Sequence, residues 1–268
     1  MNILILGDIM GSSGRKAITQ KLPDLISQKK IDFVIVNGEN AADPGVGITK
    51  KNTEDFFKAG VDVITTGNHI WDQKETMEFI TSEKRLLRPE NLVKGSPGKG
   101  FDIFKAKNNK KVAVINLMGN IFMKKCDDVF ETAKTFIQNI KLKRDADFII
   151  VDIHGEITSE KMAMGHFFDG KATMLVGTHT HVPTSDYRIM EKGTAYQTDI
   201  GMCGDYNSVI GMNVENSINK FFKKDSLKHF PAEGEASLCG LIVEANHDSG
   251  LANKVNSFIS GGKLENIN

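Results

Sequence analysis

Five short apolar runs in this sequence end in a carboxylate, an amide or an imidazole. The side chains at these ends are Asp8, Glu39, Asn40, Asn68, His69, His154, His179 and His181. All of them offer oxygen or nitrogen donors, and none is a thiolate. Mixed imidazole, carboxylate and amide sets suit iron, manganese, zinc or similar ions. The pattern therefore predicts a transition-metal site.

The set is larger than one catalytic ion with an open coordination position requires. Two ions about 3.5–4 Å apart, bridged by a carboxylate, account for it better. Glu39 is the predicted bridge because it follows a central strand. The imidazoles argue against a purely Mg²⁺ or Ca²⁺ site, since those ions prefer oxygen ligands. Two such ions sharing a hydroxide are suited to in-line attack on phosphorus.

Single members of the set carry little weight. An aspartate that follows a strand, such as Asp8, is more often a turn former or a helix cap. A lone histidine such as His154 is a structural residue as often as it is a metal ligand. The pair His179 and His181 is more specific, because two imidazoles two residues apart can face neighbouring ions from one loop. His229 and His247 lie outside these motifs and are predicted at the surface.

Alternating buried strands and helices must position these residues. Strands are predicted at residues 3–7, 33–37, 61–66, 101–107, 111–117, 147–153, 173–176, 187–190, 194–198 and 236–244. Helices are predicted from residue 15 to about 28 after a Gly/Ser turn at 11–14, and at 49–59, 71–80, 127–140 and 159–168. The initial βαβαβ order implies a largely parallel sheet, and the carboxyl ends of parallel strands share one edge. The later strands suggest a second, partly antiparallel sheet, and we predict one α/β domain over residues 1–268, a four-layer α/β/β/α sandwich.

Composition excludes several other classes of protein. The chain has 268 residues, with 34 basic and 34 acidic side chains, so its formal net charge is zero. A neutral chain does not bind long nucleic acid or an anionic membrane by bulk charge. No apolar run approaches the roughly 20 residues of a membrane span, and the opening residues are not typical of a signal peptide. Cys126, Cys203 and Cys239 are widely spaced and are predicted to be reduced, which indicates a cytoplasmic protein.

The motifs resemble those of the calcineurin-like metallophosphoesterases. They are Gly7-Asp8, Gly38-Glu39-Asn40, Gly67-Asn68-His69, His154-Gly155-Glu156 and Gly177-Thr178-His179-Thr180-His181. Residues 37–41, 66–72, 152–164, 177–184 and 198–201 are similar to the YmdB-type branch, the bacterial 2′,3′-cyclic-nucleotide 2′-phosphodiesterases. The resemblance covers nearly the whole chain in order. It implies the sandwich fold of that superfamily.

Three departures from the general superfamily pattern are features of this branch. The usual Asp-x-His motif has Met10 in place of the histidine, and a thioether is a poor ligand for hard metals. Glu39 stands where an aspartate is usual. Two residues separate His69 from Asp72, whereas an acid usually follows the Asn-His pair directly.

The resemblance also implies a role for each residue. One metal would be held by Asp8, Glu39, Asn40 and His181. The other would be held by Glu39, Asn68, His154 and His179. His69 would protonate the leaving oxygen as general acid, a role suited to a group that titrates near neutrality. From the residues alone, Asn40 remains either a metal ligand or a donor to the phosphate.

The expected protein is a dinuclear phosphodiesterase that hydrolyses 2′,3′-cyclic nucleotides through attack by a metal-bridging hydroxide. The expected metals are iron, with manganese or zinc as alternatives. The expected partners are a small nucleotide and further copies of the chain, as a dimer or a tetramer. Two alternatives stay open: a phosphomonoesterase or short-oligonucleotide nuclease, and a regulatory metal- and nucleotide-binding protein with little turnover.

Overall fold

The computed structural model of the protein describes residues 1–223 and 230–266. The strands are β1 Asn2–Ile9, β2 Phe33–Asn37, β3 Val63–Thr65, β4 Phe101–Lys105, β5 Lys111–Met118, β6 Phe148–His154, β7 Met174–Thr178, β8 Arg188–Ile189, β9 Ala195–Gln197, β10 Met202–Asp205, β11 Ala236–Ala245 and β12 Ala252–Ser260. The helices are α1 Gly11–Gln28, α2 Lys50–Lys58, α3 Thr76–Phe79, α4 Val129–Asn139, α5 Thr158–Phe168 and α6 Val214–Phe221. His229 lies outside the described residues, and His247 is exposed as predicted.

The strands form two six-stranded mixed sheets. The first has the order β12-β11-β10-β1-β2-β3, and β1 also pairs with β11. The second has the order β4-β5-β6-β7-β9-β8. Strands β1, β2 and β3 are parallel, as are β5, β6, β7 and β9. The five strands that precede the candidate ligands therefore belong to parallel stretches of both sheets.

Several predicted elements differ from the observed ones. Helix α1 begins at Gly11 rather than at Arg15, so the predicted Gly/Ser turn is the first turn of the helix. Of the helix predicted over residues 71–80, only Thr76–Phe79 is helical, because hydrogen-bonded turns occupy the residues before it. Strand β11 returns to the first sheet and runs antiparallel to β1, so that sheet is less parallel than predicted. The two strands predicted at 101–107 and 111–117 are β4 and β5, and they form an antiparallel hairpin.

Three hydrophobic clusters hold the elements together. Alternate residues of a strand point to opposite faces of its sheet. Accordingly, Leu4 and Leu6 of β1 belong to a cluster that contains helix residues of α1 and α2. Ile3 and Ile5 belong to a second cluster, which contains residues of β5, β6 and β7 from the other sheet. A third cluster joins the opposite face of the second sheet to α4 and α5. None of the helices in the described ranges is long and apolar enough to span a membrane.

Candidate active site

Two sheet edges, rather than one, supply the candidate ligands. Asp8 lies near the end of β1, and Glu39 and Asn40 follow β2. Asn68 lies three residues after the end of β3. From the second sheet, His154 ends β6, and His179 and His181 follow β7. The two sheets are packed face to face through the second hydrophobic cluster, so these ends converge on one site.

The converging groups form two possible ligand sets that share Glu39. One set is Asp8, Glu39 and His181; the other is Glu39, His154 and His179. Within each set, the donor atoms lie within 4.8 Å of one another. This is the division that the sequence resemblance implies, with Glu39 between the two sets.

Both predicted amides lie inside this cluster. Asn68 Oδ1 is 3.1 Å from His154 Nε2, and that nitrogen is also 3.1 Å from Glu39 Oε1 and from His179 Nδ1. Asn40 Nδ2 lies 3.0 Å from His181 Nε2 and 3.2 Å from Glu39 Oε1. The amide group of Asn40 thus occupies the space between two donors of the first set. All seven predicted ligands therefore lie together.

The imidazoles of His154 and His181 each have one ring nitrogen fixed by a hydrogen bond from outside the cluster. His154 Nδ1 lies 2.9 Å from Thr178 Oγ1, which donates its own proton to Asp152 Oδ1 at 2.7 Å. His154 Nδ1 is therefore the donor. His181 Nδ1 donates to the carbonyl of Ile210 at 2.7 Å.

His179 has a nearby carboxylate, rather than a hydrogen-bond partner, at its outer ring nitrogen. Its Nε2 lies 3.3 Å from Glu156 Oε2. The nitrogen that remains in each ring, Nε2 of His154 and His181 and Nδ1 of His179, points into the cluster. Partners of this kind select the tautomer and orientation of a metal-binding histidine.

Burial makes a cation the natural complement of this donor set. Asp8 and Glu39 are 0% and 1% exposed, and Asp8 Oδ1 has no hydrogen-bond partner among the described residues. Burial raises the pKa of Asp8 to about 6, which is the response of a carboxylate without sufficient positive charge nearby. Buried charges are paired or coordinate metals. The residues present therefore fit one or more metal ions.

The pKa values of the other ligands reflect their mutual contacts. Burial alone would raise the pKa of Glu39, but the charge and hydrogen bond of His154 outweigh burial and lower it. Burial opposes protonation of His154, but the carboxylates of Glu39, Asp8 and Asp152 outweigh burial and raise its pKa to about 9. Burial and the neighbouring His154 lower the pKa of His179 to about 3, so its ring is neutral. A neutral imidazole is the form that binds a metal.

The backbone adapts to bring these groups close. A Cβ atom at Gly67 would lie 2.3 Å from both Glu39 Oε2 and His154 Nε2, so only glycine permits this approach. His179 and His181 have φ values of 100° and 66°, which are unfavourable for residues with a side chain. Such strain persists where the surrounding structure holds it in place.

The predicted general acid lies beside the cluster. The backbone N–H of His69 donates to Glu39 Oε2 at 3.2 Å. The ring Nδ1 is 2.6 Å from Asp72 Oδ2, and Lys124 Nζ is 3.3 Å from Asp72 Oδ1. Asp72 thus orients the ring and leaves Nε2 for a substrate. His69, Glu39 and His181 line one groove beside the cluster.

A buried ion pair supports the loop that carries two of the ligands. Lys161 of α5 is fully buried, and its Nζ lies 2.8 Å from both Asp199 Oδ2 and the carbonyl of Thr178. Asp199 also accepts the N–H of Thr180 at 3.1 Å and that of Gly201 at 2.9 Å. The pair therefore holds the strained segment between Thr178 and His181 through two of its backbone groups.

Sequence reasoning gave no role to several of these supporting residues. Asp72 had a usable signal, because its spacing of three residues from His69 brings both side chains onto one turn. Glu156 belongs to the motif His154-Gly155-Glu156, but it was given no role of its own. Lys161 gave no signal, since a lysine in a helix is normally solvated.

Comparison with known proteins agrees with this geometry. A family model described as a YmdB-like protein matches residues 4–258. The chain belongs to the YmdB-like family. It is 42% identical, over 97% of each chain, to a protein of Bacillus subtilis named 2′,3′-cyclic-nucleotide 2′-phosphodiesterase.

Two crystal structures are similar to this member of the YmdB-like family. One is a hypothetical protein from Thermus thermophilus, with a TM-score of 0.89, 36% identity and coverage of 97% of this chain and 99% of that chain. The other is a phosphatase from Mycoplasma pneumoniae, with a TM-score of 0.89, 38% identity and coverage of 97% and 93%. This protein therefore shares its mixed α/β architecture with both of these structures.

Proposed function

We propose that this protein is a metal-dependent phosphodiesterase that hydrolyses 2′,3′-cyclic nucleotides. The observation that carries the proposal is the pair of buried ligand sets that share Glu39, with His69 beside them. The name of the Bacillus subtilis relative supports the substrate class. The proposal includes a catalytic rather than a purely regulatory role, because the ligands and the acid are all present.

We assign the ligands as follows. One ion is held by Asp8, Glu39, Asn40 and His181, and the other by Glu39, Asn68, His154 and His179. Iron is the proposed metal, with manganese or zinc as alternatives, because imidazole and carboxylate donors suit all three. When bound, two such ions supply a nucleophile at neutral pH and offset charge on the phosphoryl oxygens.

The residues of the chain then complete the reaction. The carboxylate of Asp72 lies 2.6 Å from Nδ1 of His69, which leaves Nε2 to face the groove. As water oxygen becomes bonded to phosphorus, the bond from phosphorus to the ribose 2′ oxygen breaks, and His69 gives its proton to that oxygen. The product is a nucleoside 3′-phosphate. The proton released by the attacking water passes to solvent, and His69 regains its own proton from solvent.

The wider context of the protein is also part of the proposal. We propose a single domain with a four-layer α/β/β/α sandwich, supported by the three hydrophobic clusters and by a family match over residues 4–258. Three free cysteines support a reducing, cytoplasmic location. A small nucleotide is the proposed partner. Assembly into a dimer or a tetramer rests on the family resemblance.

A substrate panel tests the proposed activity. Purified protein with measured metal content would be given 2′,3′-cyclic nucleotides, 3′,5′-cyclic nucleotides and simple phosphomonoesters. We expect hydrolysis of the 2′,3′-cyclic compounds to nucleoside 3′-phosphates, with much weaker activity on the others. Preferential hydrolysis of monoesters would favour a phosphatase. No turnover of any diester by metal-loaded protein would favour a regulatory binding protein.

A further inference from the structure

A groove of about 330 Å³ adjoins the proposed metal site and has two chemically different sides. One side consists of residues already assigned to the metals or to proton transfer, including Glu39, His69 and His181. The other side is apolar and consists of Met10, Val46, Ile210 and Met212. This volume is within the range of about 300–1,000 Å³ typical of small-molecule sites.

Methionines and glycines shape the apolar side, which we call the thioether wall (Met10, Val46, Ile210 and Met212). A Cβ atom at Gly45 would lie 3.1 Å from Met10 Cε and 3.5 Å from Met212 Sδ. Gly211 is equally restricted, since a Cβ there would lie 2.4 Å from Met10 Cγ. Two glycines with positive φ values therefore let the thioether side chains pack closely around the backbone.

Met10 occupies the position at which the superfamily pattern has a histidine. Its side chain is 3% exposed, lines the groove and packs against the backbone at Gly45 and Gly211. A thioether is a weak partner for hard metal ions but a favourable contact for aromatic rings. Because Met10 is almost fully buried, it supports the wall from behind. Val46, Met212 and Ile210, which are half-buried or exposed, supply the surface that a flat aromatic group can contact.

We infer that the thioether wall binds the base of the nucleotide by packing against its face, without distinguishing one base from another by hydrogen bonds. The inference rests on the proposed function, which places the cyclic phosphate at the metals and leaves the base to the rest of the groove. Aliphatic side chains cannot hydrogen-bond to the polar edge of a base, and a thioether sulfur is only a weak acceptor. Methionine also adapts to differently shaped partners.

The remaining polar group of the groove does not alter this conclusion. Lys220 lines the groove from α6 and is exposed. A flexible ammonium group is a point charge rather than a rigid hydrogen-bonding template. Discrimination of more than about 10⁴ requires buried polar groups that match the substrate, whereas apolar contacts give about 10- to 200-fold. The groove should therefore accept purines and pyrimidines.

The test compares substrates with and without a base. The substrates are the 2′,3′-cyclic phosphates of adenosine, guanosine, cytidine and uridine, and glycerol 1,2-cyclic phosphate, which retains the cyclic diester alone. We expect kcat/KM for the four nucleotides to agree within about tenfold, and to exceed the value for the glycerol compound by at least about tenfold. A preference above about 100-fold for one base over all the others would overturn the inference.

Variants of the thioether wall give a second readout. Met212→Ser should raise KM for the nucleotides about 5- to 10-fold. It should therefore lower the ratio of their kcat/KM to that of glycerol 1,2-cyclic phosphate. Ile210→Ser should act in the same direction; this side chain is 55% exposed, so its truncation leaves the core intact. Met77→Ser is the matched control, because Met77 is 51% exposed and lies outside the groove.

The outcomes separate this inference from the proposed function. Suppose that both wall variants keep the wild-type ratio of kcat/KM for the nucleotides to kcat/KM for glycerol 1,2-cyclic phosphate. In that case the wall does not bind the base, although the phosphodiesterase assignment stands. If wild-type protein hydrolyses glycerol 1,2-cyclic phosphate as well as it hydrolyses the nucleotides, the inference is also wrong. Failure to hydrolyse any cyclic nucleotide would reject the proposed function itself.

Discussion

At the scale of single residues, the site depends on partners that orient each reacting group. The imidazoles of His154 and His181 each have one nitrogen fixed by a hydrogen bond, and that of His179 has one nitrogen facing Glu156. The other nitrogen of each ring is directed inward. The inward nitrogens were predictable in outline, because each histidine follows a buried strand. Their partners were not, because a threonine hydroxyl or a backbone carbonyl carries no distinctive sequence signal.

The role of His69 can be separated from metal binding by substitution. His69→Ala should lower kcat by about 10²- to 10⁴-fold, the usual contribution of a general acid. Metal content should stay at the wild-type level, because His69 is not among the assigned ligands. Steady-state kinetics and elemental analysis of the same preparation would check both points. Full activity in this variant would show that another group protonates the leaving oxygen.

The division of the ligands into two sets predicts selective metal loss. His181→Ala should remove one ion and leave the other, since His181 belongs only to the set with Asp8. Glu39→Gln should weaken both sites because Glu39 is shared. Elemental analysis after gel filtration measures the metal-to-protein ratio. Equal, partial losses in both variants would contradict the assignment of Glu39 as a shared ligand.

At the scale of elements, the ends of β1, β2, β3, β6 and β7 bring the ligands together. The apolar runs and the polar residues after them made this part of the fold predictable. Strand β10 has four residues and β12 mixes polar and apolar residues, so neither was predicted. Helix α6 was also missed, although its apolar residues Val214, Ile218 and Phe221 recur at helical spacing. The turns around Asp72 replaced most of a predicted helix, since their hydrogen bonds depend on the loop's position in the fold.

The buried pair of Lys161 and Asp199 is expected to stabilise the segment between Thr178 and His181. Lys161→Met should lower the free energy of unfolding by about 3–5 kcal/mol, because Asp199 remains as an uncompensated buried charge. Adding Asp199→Asn should recover part of the loss. Urea denaturation of metal-free protein would measure these changes, with the exposed Lys171→Met as control. Equal stability of the Lys161 variant and the control would show that the pair is unimportant.

At the scale of the whole molecule, charge is balanced globally and concentrated locally. The 34 basic and 34 acidic residues give no net field to attract a long polyanion. The buried ligands instead create a confined site for cations, and the adjoining groove is of small-molecule size. Composition alone predicted the absence of bulk electrostatic binding. Composition could not predict that two sheets meet at one site, because that arrangement depends on long-range packing.

This charge distribution predicts a weak dependence on salt. Between about 50 and 200 mM NaCl, kcat/KM for a 2′,3′-cyclic nucleotide should change by less than about threefold, because only local contacts are screened. A protein that makes many phosphate contacts loses about 10³–10⁵ in affinity over that range. Initial rates at low substrate concentration would provide the measurement. A fall in kcat/KM that approaches about 10³-fold over this range would point to a long nucleic acid as the substrate.

Metal titration during turnover tests the central claim most directly. Protein freed of metal by a chelator would receive increasing Mn²⁺ while hydrolysis of 2′,3′-cyclic AMP is followed by the appearance of adenosine 3′-phosphate. We predict negligible turnover without metal and a rise that reaches its plateau at about two ions per chain. Undiminished turnover by the metal-free protein, or a plateau at one ion, would contradict a two-metal phosphodiesterase.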